Sequence, residues 1–292
     1  MNQNVNQNMN PYRNENGNEN MDENRNENRN ENRNENMDEN RNENRNVNRN
    51  ENMDKDGKLE KYRDFFHKEY LMGPNSLRLL EEMLRKYPLT AGSRVMDLGC
   101  GRGITSLFLA KEADVTVFAT DLWISATENA RSFEAWGVSD VVIPIHADAN
   151  DLPYAEEYFD AVVSIDAFHY FVTCKEEFQR MVLPYLKKGG VAVIAIPGLK
   201  KELTGKAAET FMEWVGGDQK DYDSFKTRQQ WLGILGQDEG YEVVMDFDLD
   251  CFEEAWEDWF QSGHEYGSKD KEFFARGMDE YLSFLGLVIR RK

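Results

Sequence analysis

The chain has 292 residues and a formal charge of −19, with six Trp, 17 Phe and only three Cys. Three cysteines are too few for a disulfide framework, the N-terminus lacks a signal-peptide type of apolar segment, and no apolar run approaches the roughly 20 residues of a membrane helix, so we expect a cytoplasmic protein without a membrane span. The acidity argues against DNA or RNA as a partner, because it repels phosphate backbones.

Residues 1–54 differ in composition from the rest of the chain. Nearly every second residue is Asn, and a 16-residue block repeats with one difference, Glu31 in one copy and Val47 in the next. Such a repeat has almost no apolar surface to offset the ordering of its backbone, about 1–2 kcal/mol per residue. We therefore predict a disordered low-complexity tail over 1–54 and one domain over 55–292. Asn-rich tracts can form ladders, but an expanded repeat without catalytic role is favoured.

After the tail, short apolar segments alternate with amphipathic ones. Strands are predicted over 94–98, 115–120, 141–145, 159–165 and 191–196. Helices are predicted over 75–87, 105–111, 124–136 and 176–186, the last one stopped by Gly189 and Gly190. Apolar strands separated by helices are typical of a mostly parallel sheet covered on both faces. The sequence therefore predicts a doubly wound α/β fold, with its ligand site beyond the carboxyl ends of the strands.

A glycine-rich loop, DLGCGRG over 97–103, follows the first strand. Glycines allow positive φ angles and the close approach of a ligand, and the next helix directs its N-terminus at that ligand. The pattern is G-x-G-x-G rather than the nicotinamide G-x-G-x-x-G, and no G-K-[ST] of a P-loop follows. Asp97 would repel a pyrophosphate and suits a ligand with a cationic amine. A tight turn without any ligand is the structural alternative.

Acidic residues follow three further strands at the same edge of the sheet. Asp121 follows the second strand, 18 residues beyond Gly103, where a carboxylate can accept both hydroxyls of a ribose. Asp148 follows the third strand, where it can accept from an adenine amino group, and Asp166 follows the fourth. Asp121 and Asp148 each have a structural alternative, as a helix cap and a turn residue respectively. Their coincidence with the glycine loop favours a bound ligand.

Four segments together resemble the class I S-adenosylmethionine-dependent methyltransferases. They are VMDLGCGRG with its D-x-G-x-G-x-G pattern, VFATDLW, HADANDLPYAEEYFDAVVSIDAFHYF and LKKGGVAVIAIPG. The third segment is similar to the small-molecule branch of that family, and the resemblance is strongest from 93 to 198. It implies a mostly parallel, seven-stranded sheet that ends in a reversed C-terminal hairpin. Residues 241–249 and 281–290 supply the hairpin strands, with helices over 253–260 and 269–279 between them.

The resemblance also implies that S-adenosylmethionine is the cofactor and that eight residues bind it. They are Asp97, Gly99, Gly101 and Asp166 beside the methionine part, Asp121 at the ribose, and Leu122, Asp148 and Ala149 at the adenine.

The acceptor atom must be unprotonated when it attacks the methyl group, so a base near the methyl is useful. His169 follows the fourth strand by a few residues and is the catalytic candidate, which would accept or orient the acceptor's proton. Its structural alternative is packing against Tyr170 and Phe171. The segment 199–227 interrupts the alternation and is predicted to be a lid over the acceptor pocket, and aromatic residues over 62–72 could close the cofactor's other side.

The favoured function is methyl transfer from S-adenosylmethionine to a small-molecule acceptor, whose identity and reacting atom the sequence leaves open. The stretch VVSIDAFHYF is similar to cyclopropane fatty acid synthases, although those carry an acid where this chain has His169. The stretch LPYAEEYFD suggests a quinone C-methyltransferase as another alternative. From a different class, the domain could bind the cofactor without turnover. The scattered His and Cys residues predict no metal site, and the oligomeric state stays open.

Overall fold

The computed structural model describes residues 57–292, so the predicted tail over 1–54 lies outside the described residues. Residues Leu59–Lys292 form one compact unit. Its strands are β1 Arg94–Leu98, β2 Thr116–Asp121, β3 Val142–His146, β4 Phe159–Ile165, β5 Leu186–Leu199, β6 Lys226–Thr227, β7 Tyr241–Asp248 and β8 Leu282–Arg291.

Nine α-helices accompany these strands in the described part of the chain. They are α1 Ser76–Lys86, α2 Ile104–Glu112, α3 Ala126–Ala135, α4 Lys175–Met181, α5 Lys206–Trp214, α6 Gln219–Ser224, α7 Arg228–Leu235, α8 Phe252–Gln261 and α9 Glu265–Phe274. Short 3₁₀ helices span Glu60–Phe65, Phe168–Tyr170, Leu183–Tyr185 and Met278–Glu280.

The strands form a single sheet in the order β3-β2-β1-β4-β5-β8-β7. The strands from β3 to β5 are parallel, whereas β8 is antiparallel to β5 and β7 is antiparallel to β8. The predicted doubly wound, mostly parallel sheet with a reversed C-terminal hairpin is confirmed. An eighth strand, β6, pairs in parallel with the end of β5, and it was not predicted because two residues carry no periodicity.

Apolar residues cover both faces of the sheet, as the pleat of a buried strand requires. In β1, Val95 belongs to the core beneath α1 and α2, whereas Met96 and Leu98 belong to the core that contains Trp231. Asp97 shares the face of Val95 but lies at the carboxyl end of the strand. The alternation therefore brings a carboxylate to the sheet edge where the glycine loop begins.

The predicted helix over 176–186 is wrong at its C-terminal end. The helix α4 stops at Met181, a 3₁₀ turn that contains Pro184 follows, and Leu186 already belongs to β5. Proline cannot continue a helix, since it lacks the N–H and clashes with the preceding turn. Gly189 and Gly190 accordingly do not stop a helix but lie within β5, opposite a shift of register between Phe159 and Ala161 of β4.

Two helices lie within the segment 199–227, namely α5 and α6, and the segment ends with β6. Phe211 of α5 is fully buried and its ring packs against Trp214, Tyr222 and Phe225. The indole N–H groups of Trp214 and Trp259 both donate to Asp270, each at 2.7 Å. This carboxylate therefore links α5, α8 and α9.

Candidate active site

The glycine loop after β1 is bound to the neighbouring strand end by its backbone. The N–H groups of Gly99 and Cys100 donate to the Thr120 carbonyl oxygen, at 2.8 and 3.2 Å. Gly99, Gly101 and Gly103 all have positive φ, at 80°, 53° and 81°, a region that favours glycine. The positive-φ loop that the sequence predicts is confirmed.

Two of these glycines are also required because their neighbours leave no room for a side chain. A Cβ on Gly99 would lie 2.3 Å from the Cβ of Ala167, just beyond β4, and a Cβ on Gly103 would lie 2.5 Å from the Phe133 ring of α3. At Gly101 the nearest atom to such a Cβ is the Met72 sulfur, at 3.0 Å. A flexible side chain is thus the nearest cover over Gly101, which leaves the middle of the loop approachable.

Asp97 lies beneath the loop with one satisfied and one unsatisfied oxygen. Its Oδ2 accepts from the hydroxyls of Thr105 and Ser106, at 2.7 and 2.6 Å, while its buried Oδ1 has no partner within residues 57–292. Burial raises the pKa of the Asp97 carboxyl to about 6, against the lowering effect of the two hydroxyl groups. An acceptor without a donor is costly in such a place, so Oδ1 suits a ligand that donates.

Asp121 connects the ends of β1 and β2 through its carboxylate. The Oδ2 atom accepts from the Gly101 N–H at 2.8 Å, and Oδ1 accepts from the N–H groups of Trp123 and Ile124, at 2.7 and 2.8 Å. Asp121 is not the helix cap that its position suggested, because Ser125 caps α3. A carboxylate has about four acceptor positions, so three bonds leave one free, on Oδ2.

The residues at the predicted adenine end lie at the surface beyond β2 and β3. The Leu122 side chain is half exposed, and its carbonyl oxygen lies 2.8 Å from Nε2 of His146. Asp148 is exposed and accepts from the backbone and side-chain N–H groups of Asn150, which lowers the pKa of its carboxyl. Ala149 is partly buried beside it. The bonds to Asn150 are those of a turn residue, although the second oxygen of Asp148 remains available.

Asp166 follows β4 and has an unusual backbone conformation for a non-glycine residue. Its φ is +55°, and its N–H donates to the Ala195 carbonyl oxygen at 2.7 Å. A Cβ on Gly73 would lie 2.9 Å from Oδ2 of Asp166, so residue 73 passes directly over this carboxylate. Burial raises the pKa of the Asp166 carboxyl to about 7. The structure therefore brings Asp166 together with the glycine loop and the segment before α1.

His169 is buried and does not face solvent. Its side chain is 1% exposed, its ring centroid lies 4.1 Å from that of Tyr170 and 5.8 Å from that of Phe225, and Nδ1 has no partner within residues 57–292. Burial, with a smaller contribution from the charge of Lys226, lowers the pKa of His169 to about 3. The imidazole is therefore neutral at physiological pH. The predicted packing against Tyr170 is present, and the ring also contacts the predicted lid through Phe225.

A strap, defined as residues 67–75, runs over the glycine loop before α1. The Lys68 N–H donates to Ser262 and the Asn75 N–H donates to Ala255, each at 2.9 Å, which fastens both ends to α8 and its C-terminus. Between these ends, Met72 lies at Gly101 and Gly73 lies at Asp166. Of the aromatic residues predicted nearby, Tyr62, Phe65 and Tyr70 pack on Phe108 and Trp136 instead of facing the loop.

Sequence reasoning missed a pair of exposed aromatic rings at this site. Trp123 is 66% exposed and Tyr170 is 45% exposed, and their ring centroids are 5.7 Å apart. Each follows a strand-end carboxylate by a few residues, and this position in the sequence could have indicated that both rings lie at the site. Among residues 57–292, no group of His, Cys, Asp and Glu is arranged to hold a metal ion. No helix in the same range is both long enough and apolar enough to cross a bilayer.

Comparison with known proteins gives a family match to the same part of the chain. A family model described as a methyltransferase domain matches residues 95–190, from β1 into β5. The chain is similar to Methyltransferase GfsG of Streptomyces halstedii, 27% identical over 162 residues that cover 51% of this chain and 58% of that protein. It is 35% identical over 95 residues to the 27-O-demethylrifamycin SV methyltransferase of Amycolatopsis mediterranei (strain S699), covering 32% of this chain and 35% of that protein.

A solved structure shares the fold. Phosphoethanolamine N-methyltransferase 2 of Haemonchus contortus, in complex with S-adenosyl-L-methionine, matches with a TM-score of 0.59 at 18% identity, over 75% of this chain and 54% of that chain. At this identity the likeness extends to the fold alone. The match spans 58% of the first of these curated relatives and 35% of the second.

Proposed function

Since the chain carries a class I S-adenosylmethionine-dependent methyltransferase domain, we propose that the protein transfers a methyl group from this cofactor to a small-molecule acceptor. The recognition made from the sequence motifs, and with it the cofactor, is confirmed. The observation that carries the proposed activity is the convergence of Asp97, Asp121 and Asp166 on one glycine loop whose centre, Gly101, is covered by a flexible side chain.

The residues around the loop fit the methionine and ribose parts of the cofactor. Oδ1 of Asp97 is a buried acceptor without a donor, which the cofactor's ammonium group can satisfy beside Gly99 and Gly101. Asp121 keeps one acceptor position on Oδ2, enough for one ribose hydroxyl rather than the two expected from the sequence. Asp166 lies where the methionine end is expected.

The adenine end of the proposed site is more open. We assign Leu122 and Ala149 to the faces of the ring, since both present apolar atoms beyond the strand ends, and Asp148 to the adenine amino group through its second oxygen. The strap covers the opposite end, with Met72 at Gly101. Calorimetric binding of adenosine alone, weakened in Asp148→Asn, would support this orientation of the cofactor.

When bound, the cofactor supplies an electrophilic methyl group on a positively charged sulfur, so the protein mainly aligns the acceptor and excludes water. The low pKa of His169 makes it a weak proton acceptor, and we therefore assign it to orienting the acceptor's proton through a neutral nitrogen. The Asp166 carboxylate, with a pKa near 7, is better matched to taking that proton. His169→Ala should lower turnover and leave cofactor affinity unchanged, and unchanged turnover would remove the assignment.

A small-molecule acceptor is supported by the name of one relative, which acts on 27-O-demethylrifamycin SV, and by the acidic charge of the domain. Repulsion from phosphate backbones disfavours nucleic acid as the acceptor. The helices α5 and α6 and residues 225–227 would cover the acceptor, because β6 holds this segment against the end of β5 next to His169. We keep the cytoplasm as the proposed location.

Calorimetry with S-adenosylmethionine and its demethylated product, followed by a product screen over amine, oxygen, thiol and carbon acceptors, tests the proposal. We expect one cofactor molecule to bind per chain and at least one acceptor to be methylated. Cofactor binding without any methylated product would favour a non-catalytic binding module. Absence of binding by the full chain would contradict the proposed function altogether.

A further inference from the structure

Two aromatic side chains are displayed to solvent where the crevice of the proposed site opens. Trp123 lies two residues beyond β2 and Tyr170 five residues beyond β4, and these strands flank β1 on its two sides. The contact between their rings, with centroids 5.7 Å apart, therefore spans the end of β1. Large exposed aromatic rings that lie side by side are typical of binding surfaces.

The charges of three carboxylates act on the Tyr170 end of this pair. Burial raises the pKa of the Tyr170 hydroxyl, and the negative charges of Asp166, Asp221 and Asp270 raise it further, so all three lie close enough to act on it. Asp270 is engaged by two indole N–H groups. Within residues 57–292, the carboxylates of Asp166 and Asp221 have no hydrogen-bond or ion-pair partner. The charge of Lys226 acts on His169 in the same region, so the negative charge around Tyr170 is only partly balanced.

His169 supplies an independent sign that a group is missing from the same place. Its ring packs on Tyr170, it is 1% exposed, and its Nδ1 lacks a partner in the described part of the chain. A buried nitrogen of this kind is seldom left unsatisfied, because burial removes its hydrogen bonds to water and nothing replaces them. A donor that enters beside Tyr170 would satisfy this nitrogen and the two carboxylates together.

We propose that Trp123, Asp166, Tyr170 and Asp221, here called the acceptor mouth, bind the methyl acceptor as an aliphatic ammonium cation, so that the reaction is N-methylation. This inference rests on the proposed function and names its substrate class. Aromatic faces attract ammonium groups through the ring quadrupole, and unpaired carboxylates next to them add charge complementarity. A neutral phenol, thiol or carbon acid would leave both carboxylates uncompensated.

The chemistry balances with the groups present. The ammonium group gives one proton to the Asp166 carboxylate and becomes a neutral amine. The amine's lone pair then forms the N–C bond while the S–C bond breaks and its electron pair stays on sulfur. The products are a methylated ammonium group, the neutral thioether and protonated Asp166, which returns its proton to solvent. His169 keeps the amine's remaining N–H directed away from the methyl group.

The sulfonium of the cofactor is itself a cation, so the test must separate acceptor binding from cofactor binding. The full chain is first saturated with S-adenosylhomocysteine, whose sulfur is uncharged. Calorimetry then measures the binding of choline and of 3,3-dimethylbutan-1-ol, its neutral carbon isostere. We expect choline to bind about tenfold more tightly, as one cation–π contact with charge complementarity predicts.

Variants locate the effect at the acceptor mouth. Trp123→Ala and Asp221→Asn should each weaken choline binding several-fold and change the affinity for S-adenosylhomocysteine by no more than about twofold. Trp123→Phe keeps an aromatic ring and should retain most of the choline affinity. Because Trp123 and Asp221 are exposed, these variants are expected to fold. The matched controls are Tyr266→Ala, an exposed aromatic residue elsewhere, and Asp223→Asn, an exposed acid of the same helix. Both controls should bind choline like the wild type.

The possible failures are distinguishable. If S-adenosylhomocysteine binds but choline and its isostere bind equally, or if the controls lose as much as the mouth variants, the ammonium assignment is wrong and the proposed methyl transfer stands. If S-adenosylhomocysteine does not bind the full chain, the proposed function fails and this inference fails with it.

Discussion

Asp121 joins three segments of the candidate site through one side chain. Its carboxylate accepts from a glycine-loop N–H and from two N–H groups that precede α3, so the end of β2 holds both in place. An amide at this position could accept through one atom only, and its NH₂ group would face a backbone donor. Both oxygens are therefore used in the fold of the loop, and the free acceptor position on Oδ2 is the one proposed for a ribose hydroxyl.

Asp121→Asn should accordingly weaken cofactor binding and reduce stability. Loss of a hydrogen bond to a charged group costs about 1.5–3 kcal/mol, which corresponds to roughly a tenfold to hundredfold weaker affinity for S-adenosylhomocysteine. Calorimetry and urea unfolding measure the two effects. Asp151→Asn, an exposed acid beyond β3, is the control and should change neither. An Asp121→Asn variant with wild-type affinity would show that Asp121 does not position the cofactor.

Alanine substitutions at Gly99 and Gly137 distinguish the free-energy cost of backbone strain from that of steric crowding. Both have positive φ, but a Cβ at Gly99 would lie 2.3 Å from Ala167, whereas nothing lies within 4 Å of one at Gly137. Gly137→Ala should cost about 1 kcal/mol of unfolding free energy from strain. Gly99→Ala should cost about 1–3 kcal/mol more, because the end of β4 must move. Equal values in urea titrations would contradict the packing of the loop on Ala167.

His169 should make the free energy of unfolding depend on pH in a particular direction. Its pKa is about 3 in the folded chain and about 6.5 when unfolded, so the unfolded state binds the extra proton between these values. The histidine's contribution is complete above pH 6.5 and is lost as the pH falls, by up to about 1.4 kcal/mol per unit. Urea unfolding of the wild type and His169→Phe should diverge in this way from pH 7 to pH 5. Parallel pH profiles would show that His169 is solvated.

For single residues, the sequence predicted which carboxylates lie at the sheet edge but not which groups they contact. Asp97, Asp121 and Asp166 follow strands whose alternation is visible, so their shared edge was predictable. The contact of Met72 with Gly101 and that of Trp123 with Tyr170 join segments that are remote in the chain. No local pattern encodes such pairs, because they depend on how separate loops pack.

The strap and α8 form the element that closes the proposed cofactor site. Asp258 of α8 accepts from the Asn75 side chain at 2.8 Å and from the Arg78 guanidinium, so one carboxylate anchors the strap where α1 begins. The Arg78 and Asp258 side chains are both largely buried. Removal of one partner from such a pair leaves a charge poorly solvated, which is strongly destabilising.

Asp258→Ala should lower the free energy of unfolding by about 3 kcal/mol and loosen the strap. We expect faster release of S-adenosylhomocysteine in stopped-flow measurements, since Met72 and Gly73 lie over the glycine loop and Asp166. Glu257→Ala changes the adjacent, exposed residue of α8 and should affect neither quantity. Destabilisation without faster release would mean that the strap does not limit cofactor exchange.

Most elements were predictable within one or two residues, but the predicted helix over 269–279 is wrong at both ends, because α9 spans Glu265–Phe274, and the predicted strand over 191–196 is too short for β5. The other exceptions have physical causes of two kinds. The strands β1 to β4 are short segments rich in apolar residues, and their limits follow from composition. The apolar periodicity continues beyond the end of α4, but Pro184 does not allow the helix to continue with it. The helices of the predicted lid and the two-residue strand β6 are short, and packing of Phe211 and Phe225 rather than periodicity determines them.

On the scale of the whole molecule, the strand order explains why the residues of the candidate site meet. With β1 at the centre, flanked by β2 and β4, the loops after these three strands emerge side by side at one edge. The antiparallel hairpin of β7 and β8 extends the sheet on the side of β5 and leaves that edge to the strap, α5 and α6. The topology thus places the proposed cofactor site and the proposed acceptor mouth next to each other.

Mass spectrometry of a cell extract incubated with the full chain and S-adenosylmethionine carrying a deuterated methyl group tests this arrangement most directly. We predict that small molecules acquire the label in step with the formation of S-adenosylhomocysteine, and that this labelling falls strongly when Asp121→Asn replaces the wild type. An extract in which no small molecule is labelled, although the chain binds the cofactor, would contradict methyl transfer to a small-molecule acceptor.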